Sequence, residues 1–197
     1  MGCGWIWPDT DWAGIAAIEA INANTVDTPL SGIGFWYKRL NAGNRLTGIG
    51  GSDNHDPDAQ AGRAPIGRPT TVVHAAELST PAILAGIRAG RVFIDVEGTR
   101  DRMLDVTAVS GGNRAVMGET LAAGATIDVS ATIAGVAAGK VVLVANGVEA
   151  RSLPVGPAVR FRLDRKAACG WVAVNVTTEM GKLLLVGNPI YVTCGKP

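Results

Sequence analysis

Residues 48–58, "GIGGSDNHDPD", carry the clearest chemistry in the chain: Asp53 and His55 stand two positions apart behind a run of small residues. In an extended segment, positions i and i+2 face the same side. A carboxylate oxygen and an imidazole nitrogen then reach one ion, a donor mix that suits zinc, manganese or iron. Gly50, Gly51 and Ser52 add little bulk, so backbone and substrate can approach closely. The end of a parallel strand is also where α/β folds place their sites. Taken alone, the pair has a simpler reading as a turn-capping aspartate and a hydrogen-bonded surface histidine.

Other side chains are weaker candidates. Arg63 and Arg68 flank the Pro/Gly-rich loop after the motif and suit a clamp on phosphate or carboxylate, or are solvated loop charges. Asp56 and Asp58 read as polar turn residues. The only other histidine, His74 in "TVVHAAEL", reads as a strand residue satisfied locally. Glu19, in "IEAIN", is placed either to orient part of the site or to join a salt bridge. Trp5, Trp7 and Trp12 suit a pocket wall, although packing is the commoner fate of such residues. No G-x-S-x-G, P-loop or C-x-x-C occurs, so serine hydrolase, nucleotide-binding and redox readings lack support.

The elements that must position these residues fall into two regimes, changing near residue 100. In the first, "IAAIEAIN" (15–22) reads as a strand, and "GIGFWYKRLNAG" (32–43) as a helix closed by Gly43. "RLTGIGGSDNH" is a strand running into the motif, and "TTVVHA" is another. "STPAILAGIRAG" is a helix with a Ser/Thr cap, Pro81 in its first turn and Gly90 as terminator. Ile83, Leu84 and Ile87 recur there at helical spacing, and "RVFIDV" closes the region as a strand. This order predicts a mostly parallel α/β arrangement.

From residue 101 the period becomes two. Ile127, Val129, Ala131 and Ile133 share one face, and Val159, Phe161 and Leu163 alternate with Arg160 and Arg162. Asn146-Gly147 signals a hairpin. Six or seven short strands and no helix predict an immunoglobulin-like β-sandwich over 101–197.

The segment "GIGGSDNH" resembles the last metal-binding motif, G-S-D-x-H, of the PHP (polymerase and histidinol phosphatase) superfamily. "IEAIN", "FWYKRLNAGNRLTGIGGSDNH", "IGRPTTVVHAAELSTPAILAGIRAGRVFI" and "GWVAVNVTTEMGKLLLVGNPIYV" look, in that order, like the CehA/McbA-type metallohydrolases within it. The resemblance implies the C-terminal portion of a distorted (β/α)7 barrel over residues 1–100, followed by the sandwich over 101–197. It carries Asp53 and His55 over as ligands of a divalent metal cluster that activates water against a phosphoester or related ester. That pattern's H-x-H motif and its further Glu and His ligands have no counterpart here, and "MGCGWIWPDTDW" resembles a family segment entered in mid-sequence. The expectation is therefore a hydrolase portion, inactive by itself, acting on a small-molecule ester or phosphoester. The alternative is a non-catalytic binding module, or a pseudoenzyme whose sandwich binds a glycan or protein partner.

The totals agree with a packed protein: 197 residues, 47% apolar and 18% charged, with net charge +1. Such a charge gives no general pull toward nucleic acid or an anionic membrane. No apolar run reaches the about 18 residues needed to cross a bilayer, and the N-terminus has no signal-peptide pattern. Three cysteines, Cys3, Cys169 and Cys194, form no framework by count. Cys169 and Cys194 pair if their strands are neighbours, but the simpler reading is two small buried hydrophobes.

Overall fold

The computed structural model describes residues 7, 9–56 and 65–194. In its first half most elements form where the sequence patterns them. Strand β1 (Ala17–Asn22) leads to helix α1 (Ile33–Asn41), then β2 (Thr47–Gly51), β3 (Thr70–Val73), helix α2 (Thr80–Arg88) and β4 (Val92–Asp95). Helix α1 buries Trp36 and Leu40 on one side, and Gly43 closes it at φ +86°, a conformation that suits glycine. Helix α2 starts at Ser79, whose hydroxyl accepts from Ala82 N–H at 3.3 Å. It sets Gly86 against Val73 and His74, close enough that a Cβ would lie 2.6 Å from Val73 Cγ1. Leu84, part of the predicted apolar stripe, is instead exposed.

The pairing of these strands overturns the predicted barrel portion. β1 and β2 are parallel and form a two-stranded sheet of their own. β3 and β4 pair antiparallel, and β4 pairs antiparallel with β13 (Leu183–Gly187) near the other end of the chain. No barrel of alternating strands and helices is formed by the described residues, and the fold is of the all-β type. The physical reason lies in β4, which is buried along its whole length. Phe93 faces one hydrophobic core and Ile94 the other, so β4 is an interior strand whose direction is set by both neighbours. A strand's hydrophobic pattern shows that it is a strand, and does not show which way its neighbour runs.

The second half supplies β5 (Met103–Ser110), β6 (Asn113–Val116), β7 (Thr120–Ala122), β8 (Thr126–Ala134), β9 (Lys140–Ala145), β10 (Val148–Pro154), β11 (Ala158–Asp164), β12 (Gly170–Thr177) and β14 (Ile190–Thr193). The turn of helix α3 (Arg165–Ala168) interrupts what the sequence reads as helix-free. One sheet is four-stranded, in the order β11-β8-β5-β6. The other is eight-stranded, β10-β9-β12-β13-β4-β3, with β14 beside β12 and β7 beside β14. The two pack as a sandwich, larger than the seven-strand immunoglobulin pattern and built partly from the first half of the chain. The alternation at Ile127, Val129, Ala131 and Ile133, and at Val159, Phe161 and Leu163, points inward as its period requires. Asn146 and Gly147 turn the β9–β10 hairpin, both at positive φ.

Buried side chains form two cores, one on each face of the larger sheet. Between the two sheets lie Leu104, Val129, Phe161 and Val174, among others. On the outer face Trp36 and Ile21 pack against Trp171, Ala173 and Val186. The molecule therefore has three layers, with α1 and the β1–β2 pair as the third. Residue 100 falls in the turn between β4 and β5, so β3 and β4, on its N-terminal side, are strands of the larger sheet.

Candidate functional site

The C-terminal end of the β1–β2 pair carries the Asp53–His55 motif. β2 ends at Gly51, and Asp53 takes φ +47°, a left-handed conformation that aspartate tolerates better than most residues. The motif is therefore a turn and not an extension of the strand. The two side chains do meet, but by way of the turn: His55 Nε2 lies 3.0 Å from Asp53 Oδ1. Both are open to solvent, with side-chain exposures of 80% and 56%.

Neighbouring elements hold this end of β2 in place. Asn188, 1% exposed, accepts from Gly48 N–H at 2.7 Å. Its amide donates to the carbonyls of Gly48 and Val92, each at 2.9 Å, tying β2 to β4. The Thr71 hydroxyl accepts from Gly50 N–H at 2.9 Å and donates to Gly50 O at 2.7 Å, linking β2 to β3. These contacts satisfy backbone groups that lack a ladder partner on that side. Neither residue stands out in the sequence, since Asn188 lies 140 positions from Gly48.

Glu19 sits at the same end of the pair. Its Oε1 lies 2.6 Å from where a Cβ on Gly51 would be, so the carboxylate lies over that glycine. Asn22 Nδ2 donates to Glu19 Oε2 at 3.1 Å, and Glu19 makes no salt bridge among the described residues. Asp56 N–H donates to Asn54 Oδ1 at 2.7 Å, as a turn requires. Arg68 is exposed, while Arg63, Asp58 and Trp5 lie outside the described residues. Trp7 is 68% exposed. Trp12 packs beside Phe35 at 6.0 Å, with the Arg39 guanidinium 5.1 Å from its ring, so it belongs to the packing of α1.

The donor set can be tested against a metal ion. Two ligands each about 2.1 Å from an ion, at coordination angles of about 90–110°, stand about 3.0–3.4 Å apart. The 3.0 Å between His55 Nε2 and Asp53 Oδ1 is a hydrogen-bond separation that also equals the spacing of two adjacent coordination positions. A third protein donor is not brought to them: no three His, Cys, Asp or Glu side chains converge on a possible ion among the described residues. Two donors fall short of the three protein ligands that a catalytic zinc site takes.

His74 differs from its sequence reading. It stands just past β3, and its partner comes from the other sheet: Nε2 lies 3.3 Å from Asp105 Oδ1 on β5.

No family model, curated protein or solved structure matches the chain. Among the described residues, no helix is long and apolar enough to cross a membrane.

Proposed function

We propose that Asp53 and His55 are two adjacent ligands of a divalent metal ion in a hydrolase acting on a phosphoester or related ester. The observation that carries this reading is their 3.0 Å donor separation at the end of a parallel strand pair. Support for the reaction class comes from the likeness of residues 48–55 to the G-S-D-x-H motif of PHP-type hydrolases. A zinc, manganese or iron ion bound there supplies Lewis-acid activation of water. Asp53 contributes a hard anionic oxygen and His55 an imidazole nitrogen. Glu19, held by Asn22 over Gly51, adds negative charge at the same strand end.

The test is metal content by mass spectrometry on the purified chain and on Asp53→Ala/His55→Ala, with hydrolysis of a chromogenic phosphodiester measured alongside. The reading expects about one ion per chain in the wild type and at least about tenfold weaker retention in the double variant. Equal metal content in the two folded proteins would overturn it and leave the non-catalytic binding module as the better account.

A further inference from the structure

A second cluster of chemistry lies at the sandwich edge formed by β3, β4, β5 and β6. A cleft of about 240 Å³ is lined there by His74, Arg91, Asp105, Thr107, Arg114 and Met117, among others. His74 and Arg91 flank the β3–β4 ladder, where His74 N–H donates to Arg91 O at 2.9 Å. Asp105 and Thr107 are on β5 and Arg114 on β6. Arg114 Nη2 donates to the Thr107 hydroxyl at 3.2 Å, which steers its guanidinium across the strands. Two sheets and both halves of the chain thus contribute to one cleft, a usual location for ligand sites.

The charges in the cleft do not balance internally. Two guanidiniums face one carboxylate, and Asp105 Oδ1 lies 3.3 Å from His74 Nε2. Among the described residues, no carboxylate lies within 4.0 Å of either Arg91 or Arg114. His74 Nε2 is shut off from solvent and, despite its 3.3 Å approach to Asp105, is not aligned to form a hydrogen bond. Arginine presents a planar fork of N–H donors that matches tetrahedral oxyanions, and it stays charged throughout the working pH range.

We infer that this cleft binds a phosphate group, held by the guanidiniums of Arg91 and Arg114 with the Thr107 hydroxyl beside them. The site shares no residue with the Asp53–His55 pair and does not depend on the function proposed for it. Titration calorimetry of the full chain with inorganic phosphate, in EDTA and at constant ionic strength, tests it. Saturable binding is expected, weakened about tenfold or more by either Arg91→Gln or Arg114→Gln and unchanged in Asp53→Ala/His55→Ala. Both arginines are exposed, so the variants should keep the wild-type circular dichroism and thermal transition. Tighter binding of glycerol phosphate than of inorganic phosphate identifies an organic phosphate as the ligand, and the reverse identifies free phosphate. No saturable binding of either, or equal affinity in the folded arginine variants, would overturn the assignment.

Discussion

Tyr37 and Tyr191 are the only tyrosines in the chain, and both sit where a phenolate is disfavoured. Burial against Trp36 and Trp171 raises Tyr37, partly offset by the Asn175 amide that donates to its hydroxyl at 3.1 Å. Burial pushes Tyr191 up to about 12, against the opposing pull of the Arg45 guanidinium 4.0 Å from its ring. Both ionise at about 10 once unfolded. The folded state therefore binds protons that the unfolded state has released, and stability, intact below pH about 10, falls as pH rises toward 12. Ultraviolet titration of the native protein should show no tyrosinate step near pH 10, with both tyrosines titrating there in urea. A native step at pH 10 would mean that one ring is not packed as described. At the same scale, Asp53 and His55 were legible because they are neighbours in sequence. The partners of Tyr37 and His74 were not, because Asn175 and Asp105 come from distant strands.

At the level of elements, β2 depends on being thin. Gly48 lies under the Trp36 ring, and a Cβ there would stand 2.7 Å from Cη2 and Cζ2 of that side chain. The ring has nowhere to go: it is fully buried, and its Nε1–H donates to Leu46 O at 2.9 Å. Gly48→Ala should cost about 1–3 kcal/mol through overpacking. Gly34→Ala, on the exposed side of α1 with nothing within 4 Å of the new methyl, should stabilise by up to about 1 kcal/mol through helix propensity. Urea unfolding of the two variants should show opposite shifts in midpoint, and shifts of the same sign would sink this account of β2. Gly50 and Gly51 read in sequence as room for a substrate. In the fold, Gly48 accommodates Trp36, and Gly50 lies against Pro69 and Ile94. A missing side chain shows that something approaches closely, without showing what.

For the whole molecule, the closing feature is covalent. Cys169 and Cys194 form a disulfide with a Cα–Cα distance of 5.8 Å, in place of the two buried thiols that the sequence favoured. It precedes β12 and follows β14, which run antiparallel with Gly170 opposite Val192, so the cysteines meet at the end of a ladder. Closing a loop over a sequence separation of 25 residues stabilises by about 3.5 kcal/mol, and such bonds persist in oxidising surroundings. Thiol titration of the denatured, unreduced chain should find one reactive cysteine, Cys3, and three after reduction. Reduction should also lower the thermal transition by several degrees. Three thiols before reduction would show that the bond is absent.

The sequence by itself determined most element types and their inward faces, the two capped helices, the Asn146-Gly147 hairpin and the Asp53–His55 pair. All of these follow from interactions within a few residues: side-chain alternation, caps, turn conformations and short spacings. Tertiary structure alone decided that β4 runs antiparallel between β3 and β13. It likewise decided that α1 covers the outer face of the larger sheet, and that His74, Arg91, Asp105 and Arg114 share a cleft. Strand direction and distant pairing depend on which edges and apolar faces remain to be covered once the local elements exist. That is a property of the whole packed chain, and no single segment carries it.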